Sequence, residues 1–168
     1  FVDKAIKWVK KLVLGRPDDP ETTLGPLVRA SAADFVRTQI REAIAQGAVA
    51  HIPVGEFPLD KIGSPYLGPQ VLTNVNHTMR IMTEETFGPV IGIQKVSSDK
   101  EAVELMNESE FGLTAAIFTR ELDVGIELGQ QVDTGTFFIN RCDYLDPELA
   151  WTGVKKSGKG CSLSVGGY

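Results

Sequence analysis

The sequence predicts an α/β protein with a mostly parallel sheet and helices on both of its faces. Short apolar runs suited to strands alternate with stretches of helical period, and strands that alternate with helices at this spacing form parallel pairs covered on both sides. The 168 residues are 42% hydrophobic and 23% charged, which is enough apolar material for one globular domain with a sizeable core.

Two helices are predicted in the first third of the chain. Apolar residues at positions 1, 2, 5, 6, 8, 9, 12 and 13 follow a helical period with lysines on the other face. A loop dense in Gly, Pro and Asp occupies 15–26. Ser31 is the expected N-cap of the second helix, and Gly47 its expected C′ residue. This helix should bury one apolar stripe, which consists of Phe35, Val36, Ile40, Ala43 and Ile44.

The alternation continues to residue 140 and then stops. Strands are predicted at 48–52, in PQVLT, in PVIGIQKV, in AAIFT (115–119) and in GTFFIN (135–140). A capping box from Ser98 to Glu101 opens one helix, and a further helix covers 121–132. The tail after 140 lacks periodicity and follows the carboxyl end of a predicted strand, where open α/β sheets bind ligands. We therefore expect this tail to be functional.

Charge and composition argue against several classes of function. The net charge is −5 at pH 7 with mostly scattered basic residues, which does not suit a nucleic-acid surface. The spacing of two cysteines and two histidines matches no zinc site. Cys142 and Cys161 form no disulfide framework, so a reducing, cytoplasmic location is expected. No apolar run reaches the ~20 residues that span a bilayer, and the first residues do not form a signal peptide.

The glycine- and lysine-rich stretch 153–159 matches the GxxxxGK frame of a phosphate-binding loop. Gly160 stands where that motif has the Ser or Thr that holds Mg²⁺, and no apolar strand leads into it. A turn near an active-site entrance is the better interpretation. No GxGxxG dinucleotide fingerprint occurs in the sequence.

The stretch EETFGPV, residues 84–90, combines two carboxylates, an aromatic ring, a glycine and a proline. Adjacent side chains point in different directions, so at most one of Glu84 and Glu85 faces a given site. Two solvated surface acids would explain the pair without any site. Against that, the Phe-Gly-Pro sequence orders the backbone and places an aromatic ring beside the acid. An ionised carboxylate accepts two hydrogen bonds at once, and the vicinal hydroxyls of a ribose donate such a pair.

This stretch resembles the aldehyde dehydrogenase superfamily, and five blocks in the family's order extend the resemblance along nearly the whole chain. The blocks are GPLV with its helix, YLGPQVLTNVNHTMRIMTEETFGPVIGIQKV, NESEFGLTAAIFTRELD, GTFFIN and WTGVKKSGKG. The family oxidises an aldehyde to a carboxylic acid with NAD or NADP, through a thioester on a cysteine. The resemblance implies that Glu85 holds the ribose on the nicotinamide side and that Phe87 packs near the nicotinamide ring.

The resemblance also assigns the tail to the substrate entrance. Many members have Pro-Phe-Gly-Gly where this chain has Ala-Trp-Thr-Gly at 150–153, so the entrance wall should be bulkier. Trp151 suits core packing equally well. Arg141 could attract an acidic aldehyde, although the sequence does not identify the aldehyde. The expected lining residues are Arg141, Cys142, Asp143 and Trp151.

The same resemblance makes residues 1–168 a partial catalytic domain of the aldehyde dehydrogenase type. The family's nucleophilic cysteine, its water-activating glutamate and its cofactor-binding domain match nothing in this sequence, so no catalytic residue is assigned. The chain is expected to be an inactive fragment of an NAD(P)-dependent, homo-oligomeric parent that acts on a small-molecule aldehyde. The alternative is a non-catalytic α/β module that keeps the fold for binding or assembly, and the intact Glu85 and Phe87 favour the enzyme.

Overall fold

The computed structural model describes residues 1–142 and 144–167. The chain divides into two compact units, Phe1–Lys95 and Val96–Tyr168. Nothing in the sequence indicates this division, because both halves continue the same alternation of helices and strands.

The first unit, described throughout, contains three helices and one three-stranded sheet. The helices are α1 (Val2–Val9), α2 (Ala30–Ala45) and α3 (Arg80–Thr83), and the strands are β1 (Val49–Ala50), β2 (Gln70–Thr73) and β3 (Val90–Ile93). β2 and β3 are parallel, with Val71 opposite Ile91, and β1 joins β2 antiparallel. The predicted strands and the two predicted helices of this region are confirmed, although β1 is shorter than the predicted strand.

The two ends of α2 depart from and agree with the sequence prediction, respectively. Arg29, not Ser31, is the N-cap, and no side chain caps the helix there. The chain enters the helix early because Leu27 N–H is held by the carbonyl oxygen of Pro65 at 2.8 Å. Gly47 takes a φ of +104° as the predicted C′ residue. Its N–H and that of Ala48 donate back into the last turn at 3.0 and 2.9 Å, which satisfies two terminal carbonyls.

The buried face of α2 is rotated from the predicted apolar stripe. Phe35 and Ile44 are 42% and 44% exposed, so their predicted burial is wrong. Ile40 packs against the core as predicted. Gln39, a polar residue, is 0% exposed and occupies the centre of the face. The buried residues of α2 are Ala33, Val36, Gln39 and Ala43.

The second unit continues the α/β pattern over its described residues, 96–142 and 144–167. The elements are α4 (Asp99–Glu108), β4 (Phe111–Gly112), β5 (Thr114–Ile117), α5 (Leu122–Gly129), β6 (Thr136–Ile139), β7 (Trp151–Thr152), β8 (Val154–Lys155) and β9 (Cys161–Ser162). The capping box at α4 is confirmed by a hydrogen bond from Glu101 N–H to Ser98 Oγ at 3.2 Å. The Glu101 carboxylate accepts from the hydroxyl and N–H of Ser97, which lower its pKa.

Parallel pairing, on which the predicted fold class depends, recurs in this second unit. β5 and β6 are parallel, with Ala116 opposite Phe138. β4 pairs with β8, and β7 pairs with β9, both antiparallel and over two residues each. The α/β class is confirmed. The short antiparallel pairs escaped prediction because a strand of two residues leaves no period in the sequence.

The tail is anchored to the rest of the second unit by a close main-chain approach and by a lysine. A Cβ atom placed on Gly135, just before β6, would lie 1.7 Å from the carbonyl oxygen of Thr152. Lys155 Nζ donates to the carbonyl oxygens of Asn107 and Ser109 at 2.8 and 3.1 Å. These contacts fix β7 and β8 against β6 and the end of α4.

Two kinds of site were sought across the described part of the chain. None of its helices has the length and apolar character needed to cross a bilayer. Likewise, within the same residues, no group of three or more His, Cys, Asp or Glu side chains is placed to hold a metal ion.

Candidate functional site

The segment between α3 and β3 presents a carboxylate and an aromatic ring to solvent. Glu85 is exposed, and Phe87 exposes 86% of its surface. Phe87 has a φ of +46°, a left-handed conformation that costs a non-glycine residue about 1 kcal/mol or more. We call residues 85–87 the arch. A ring held in solvent on a strained backbone does not help folding, which makes the arch a functional candidate.

The near end of the arch is held by Glu84. Arg80 donates from Nε to Glu84 Oε1 at 2.8 Å and from Nη2 to Oε2 at 2.9 Å, a bidentate pair. Gln39 Nε2 adds a hydrogen bond to Oε2 at 3.1 Å. The Arg80 bonds, with help from Gln39, lower the pKa of Glu84. The pair therefore stabilises the fold at neutral pH, and its contribution is lost as the pH falls through that lowered pKa.

The far end of the arch is held by close packing and by the sheet. A Cβ atom on Gly88 would lie 2.9 Å from Cγ2 of Val36, a residue that is 1% exposed on α2. The carbonyl oxygen of Pro89 accepts from Gln70 N–H at 2.8 Å, where β2 and β3 begin. The arch is thus fixed at both ends by a single helix, α2, together with its neighbours.

Glu85 differs from Glu84 in its surroundings. Among the described residues it has no hydrogen-bond or ion-pair partner, so both carboxylate oxygens remain available to donors from a bound molecule. The exposed Phe87 ring two residues away offers an apolar face to a planar group. An acceptor pair beside an aromatic face fits the ribose and nicotinamide of a dinucleotide.

The residues predicted to line a substrate entrance belong to the second unit. Arg141 and Cys142 are exposed, and Trp151 is half-buried in β7 opposite Ser162. The Arg141 guanidinium stacks 3.4 Å from the ring centre of Tyr144. Asp143 lies outside the described residues. The predicted site residues therefore form two groups, the arch in the first unit and these in the second.

The family model of the aldehyde dehydrogenase family matches residues 1–167. The chain belongs to the aldehyde dehydrogenase family. The resemblance drawn from the five sequence blocks is confirmed by this match.

Three members of the aldehyde dehydrogenase family show the extent of the similarity. The chain is 34% identical over 161 residues to 3-sulfolactaldehyde dehydrogenase of Priestia aryabhattai, covering 95% of this chain and 32% of that protein. It is 37% identical over 164 residues to succinate-semialdehyde dehydrogenase (NADP+) of Mycobacterium avium (strain 104), covering 98% and 34%. The crystal structure of betaine aldehyde dehydrogenase from Staphylococcus aureus in complex with NAD+ superimposes with a TM-score of 0.87 at 28% identity, covering 99% and 33%. The chain spans about a third of the length of these proteins.

Sequence reasoning missed three residues around the site of this aldehyde dehydrogenase chain. Arg80 stands four residues before Glu84, the spacing of a helical ion pair, and that signal was available. Gln39 lies within an apolar stripe, and nothing in the sequence distinguishes it from a solvated glutamine. Tyr144 stacks on Arg141 within an irregular loop that has no period to analyse.

Proposed function

We propose that this chain forms part of the catalytic domain of an NAD(P)-dependent aldehyde dehydrogenase, which oxidises an aldehyde to a carboxylic acid through a cysteine thioester. The observation that carries the proposal is the arch, where the unpartnered Glu85 and the exposed ring of Phe87 meet on a backbone fixed at both ends. Membership of the aldehyde dehydrogenase family and the cofactors named for two relatives support it.

The arch would act by binding and orienting the cofactor. Glu85 would accept hydrogen bonds from the two hydroxyls of the ribose, and Phe87 would pack near the nicotinamide. The cofactor, when bound, supplies the hydride acceptor. Because Glu84 and Gly88 fix the ends of the arch, the acid and the ring are presented at a constant spacing, which lowers the entropic cost of orienting the reacting groups.

A turnover assay tests the proposal. The enzyme that contains this chain is expected to reduce NAD or NADP only when an aldehyde is present, followed at the absorbance of the reduced nicotinamide. Residues 1–168 alone should give no turnover, because the nucleophile is assigned to neither Cys142 nor Cys161. Failure with every aldehyde would favour a non-catalytic module. Turnover by residues 1–168 that Cys142→Ser abolishes would overturn the assignment of the nucleophile.

We further propose that the substrate is an anionic aldehyde. Stacking on Tyr144 uses the face of the Arg141 guanidinium and leaves its in-plane N–H donors to grip a carboxylate or sulfonate. Succinate semialdehyde carries a carboxylate and sulfolactaldehyde a sulfonate, whereas betaine aldehyde is a cation. The family alone therefore does not decide the charge of the substrate, and Arg141 carries this proposal.

Arg141→Gln should raise the KM for anionic aldehydes about tenfold and leave the KM for neutral aldehydes of equal length nearly unchanged. The reason is that a hydrogen bond to a charged group contributes about 1.5 to 3 kcal/mol, and only the anion makes it. Steady-state kinetics on the two substrate series give the answer. Arg120→Gln, at another exposed arginine of the same unit, is the matched control. Equal losses for both series would show that Arg141 supports the loop and does not recognise charge.

We also propose a cytoplasmic location and a homo-oligomeric enzyme. The location is supported by Cys142 and Cys161, which are exposed thiols without a disulfide in the described structure. The oligomer rests on the family resemblance.

A further inference from the structure

The near end of the arch is held by side chains that the proposed reaction does not touch. Besides its two bonds to Glu84, Arg80 donates from Nη1 to Glu42 Oε2 at 2.8 Å, and its guanidinium lies 5.5 Å from the ring centre of Phe35. Phe35, Gln39 and Glu42 stand four and three residues apart, so they share one face of α2. That face, through Arg80 and Gln39, grips the residue that immediately precedes Glu85.

Gln39 is an unfavourable residue for its position if only the fold is considered. It is 0% exposed, and its Oε1 is buried with no hydrogen-bond partner in the described structure. A buried acceptor without a donor destabilises the folded state, and an apolar side chain of similar volume avoids that cost. The one bond that Gln39 makes at its amide nitrogen goes to Glu84. The stability lost at Gln39 is therefore coupled to control of the arch.

We propose that Arg80 and Gln39 are positioning residues that hold Glu85 and Phe87 in the geometry required by the cofactor. This inference rests on the proposed function of the arch. Glu84 is bonded directly to Glu85 in the chain, so a shift at Glu84 passes to Glu85 without attenuation. Once Arg80 or Gln39 releases Glu84, the arch is fixed only at Gly88, and Phe87 can relax from its left-handed conformation.

The test measures cofactor binding in two backgrounds of the full-length enzyme. Arg80→Met and Gln39→Met are each combined with the natural arch and with an arch that carries Glu85→Gln and Phe87→Ala, and Kd for NAD and NADP is measured by titration. With the natural arch, each variant should raise Kd about three- to tenfold, as expected for coupled neighbours. With the altered arch, each should change Kd less than twofold, because the groups through which it acts are absent.

Two readouts that need no turnover separate positioning from general loss of structure. Glu84 N–H donates to the carbonyl oxygen of Arg80 at 2.9 Å, so Arg80→Met should speed hydrogen exchange in a peptide covering 80–88. Gln39→Met should keep or raise Tm while it weakens cofactor binding. Arg16→Met is the matched control, since Arg16 also makes a bidentate pair, with Asp18, but elsewhere on the surface of this unit. It should leave Kd and the exchange of 80–88 unchanged.

The outcomes distinguish this inference from the proposed function. Glu85→Gln alone tests the proposed function, and an unchanged Kd in that variant would overturn it. If Glu85→Gln weakens binding but Arg80→Met and Gln39→Met do not, the positioning role is wrong while the proposed function stands. Equal losses in both backgrounds also contradict positioning, because they would show that Arg80 and Gln39 act on the fold and not through the arch.

Discussion

Glu85→Gln should raise the KM for NAD or NADP of the full-length enzyme roughly tenfold or more, whereas Glu84→Gln should raise it about threefold or less. A hydrogen bond to a charged group is worth about 1.5 to 3 kcal/mol, and the neutral amide keeps only part of it. Glu84 contributes through its bonds to Arg80 and Gln39, and the oxygen of a glutamine at position 84 can still accept from Arg80.

Steady-state kinetics on both variants, with the aldehyde held at saturation, compare the two neighbouring acids. They are closely matched, since each is an exposed glutamate next to the other in the chain. Small and equal effects would mean that Glu85 is a solvated surface acid and that the arch has no part in holding the ribose.

Gly135→Ala should destabilise the second unit by about 3 kcal/mol or more, or prevent its folding. The added Cβ would stand 1.7 Å from the carbonyl oxygen of Thr152, and both partners are main chain, which cannot turn aside as a side chain can. Relief requires β6 and β7 to separate, which also strains the hydrogen bond from Gly135 N–H to the carbonyl oxygen of Gly112 at 3.0 Å.

Urea or thermal unfolding of the full-length enzyme measures this loss. Gly160→Ala is the control, since Gly160 lies in the same unit, has an ordinary φ and would bring its Cβ within 4 Å of nothing. Alanine at 160 should shift the midpoint little in either direction. Similar midpoints for the two variants would show that the tail is not packed against β6 as described.

The sequence predicts the α/β class because period and alternation survive in segments of four or more residues. PQVLT and PVIGIQKV contain β2 and β3, and the capping box marks the start of α4. The same rule explains what was missed. α3 spans four residues and β7 to β9 two each, which are too short to show a period. The rotated face of α2, with Gln39 inside and Phe35 outside, depends on where α3 packs, and that is a tertiary fact.

The candidate site was predictable in composition but not in arrangement. EETFGPV stands out because no ordinary turn or strand uses all of its residues. Which of the two acids turns inward is decided by Arg80, which reaches Glu84 from one helical turn earlier, and by Gln39, which is 45 positions away along the chain. Spacing arguments reach the first of these contacts but not the second.

The backbone at Phe87 sets heat tolerance against cofactor affinity. Glycine, and to a lesser degree asparagine, accepts a φ of +46° more readily than phenylalanine does, and both also remove an apolar ring from solvent. A laboratory selection that rewards only survival at high temperature would therefore enrich glycine or asparagine at position 87. The enriched proteins would be robust and poorly active, so a library built on this scaffold needs a cofactor-dependent screen or a fixed codon at this position.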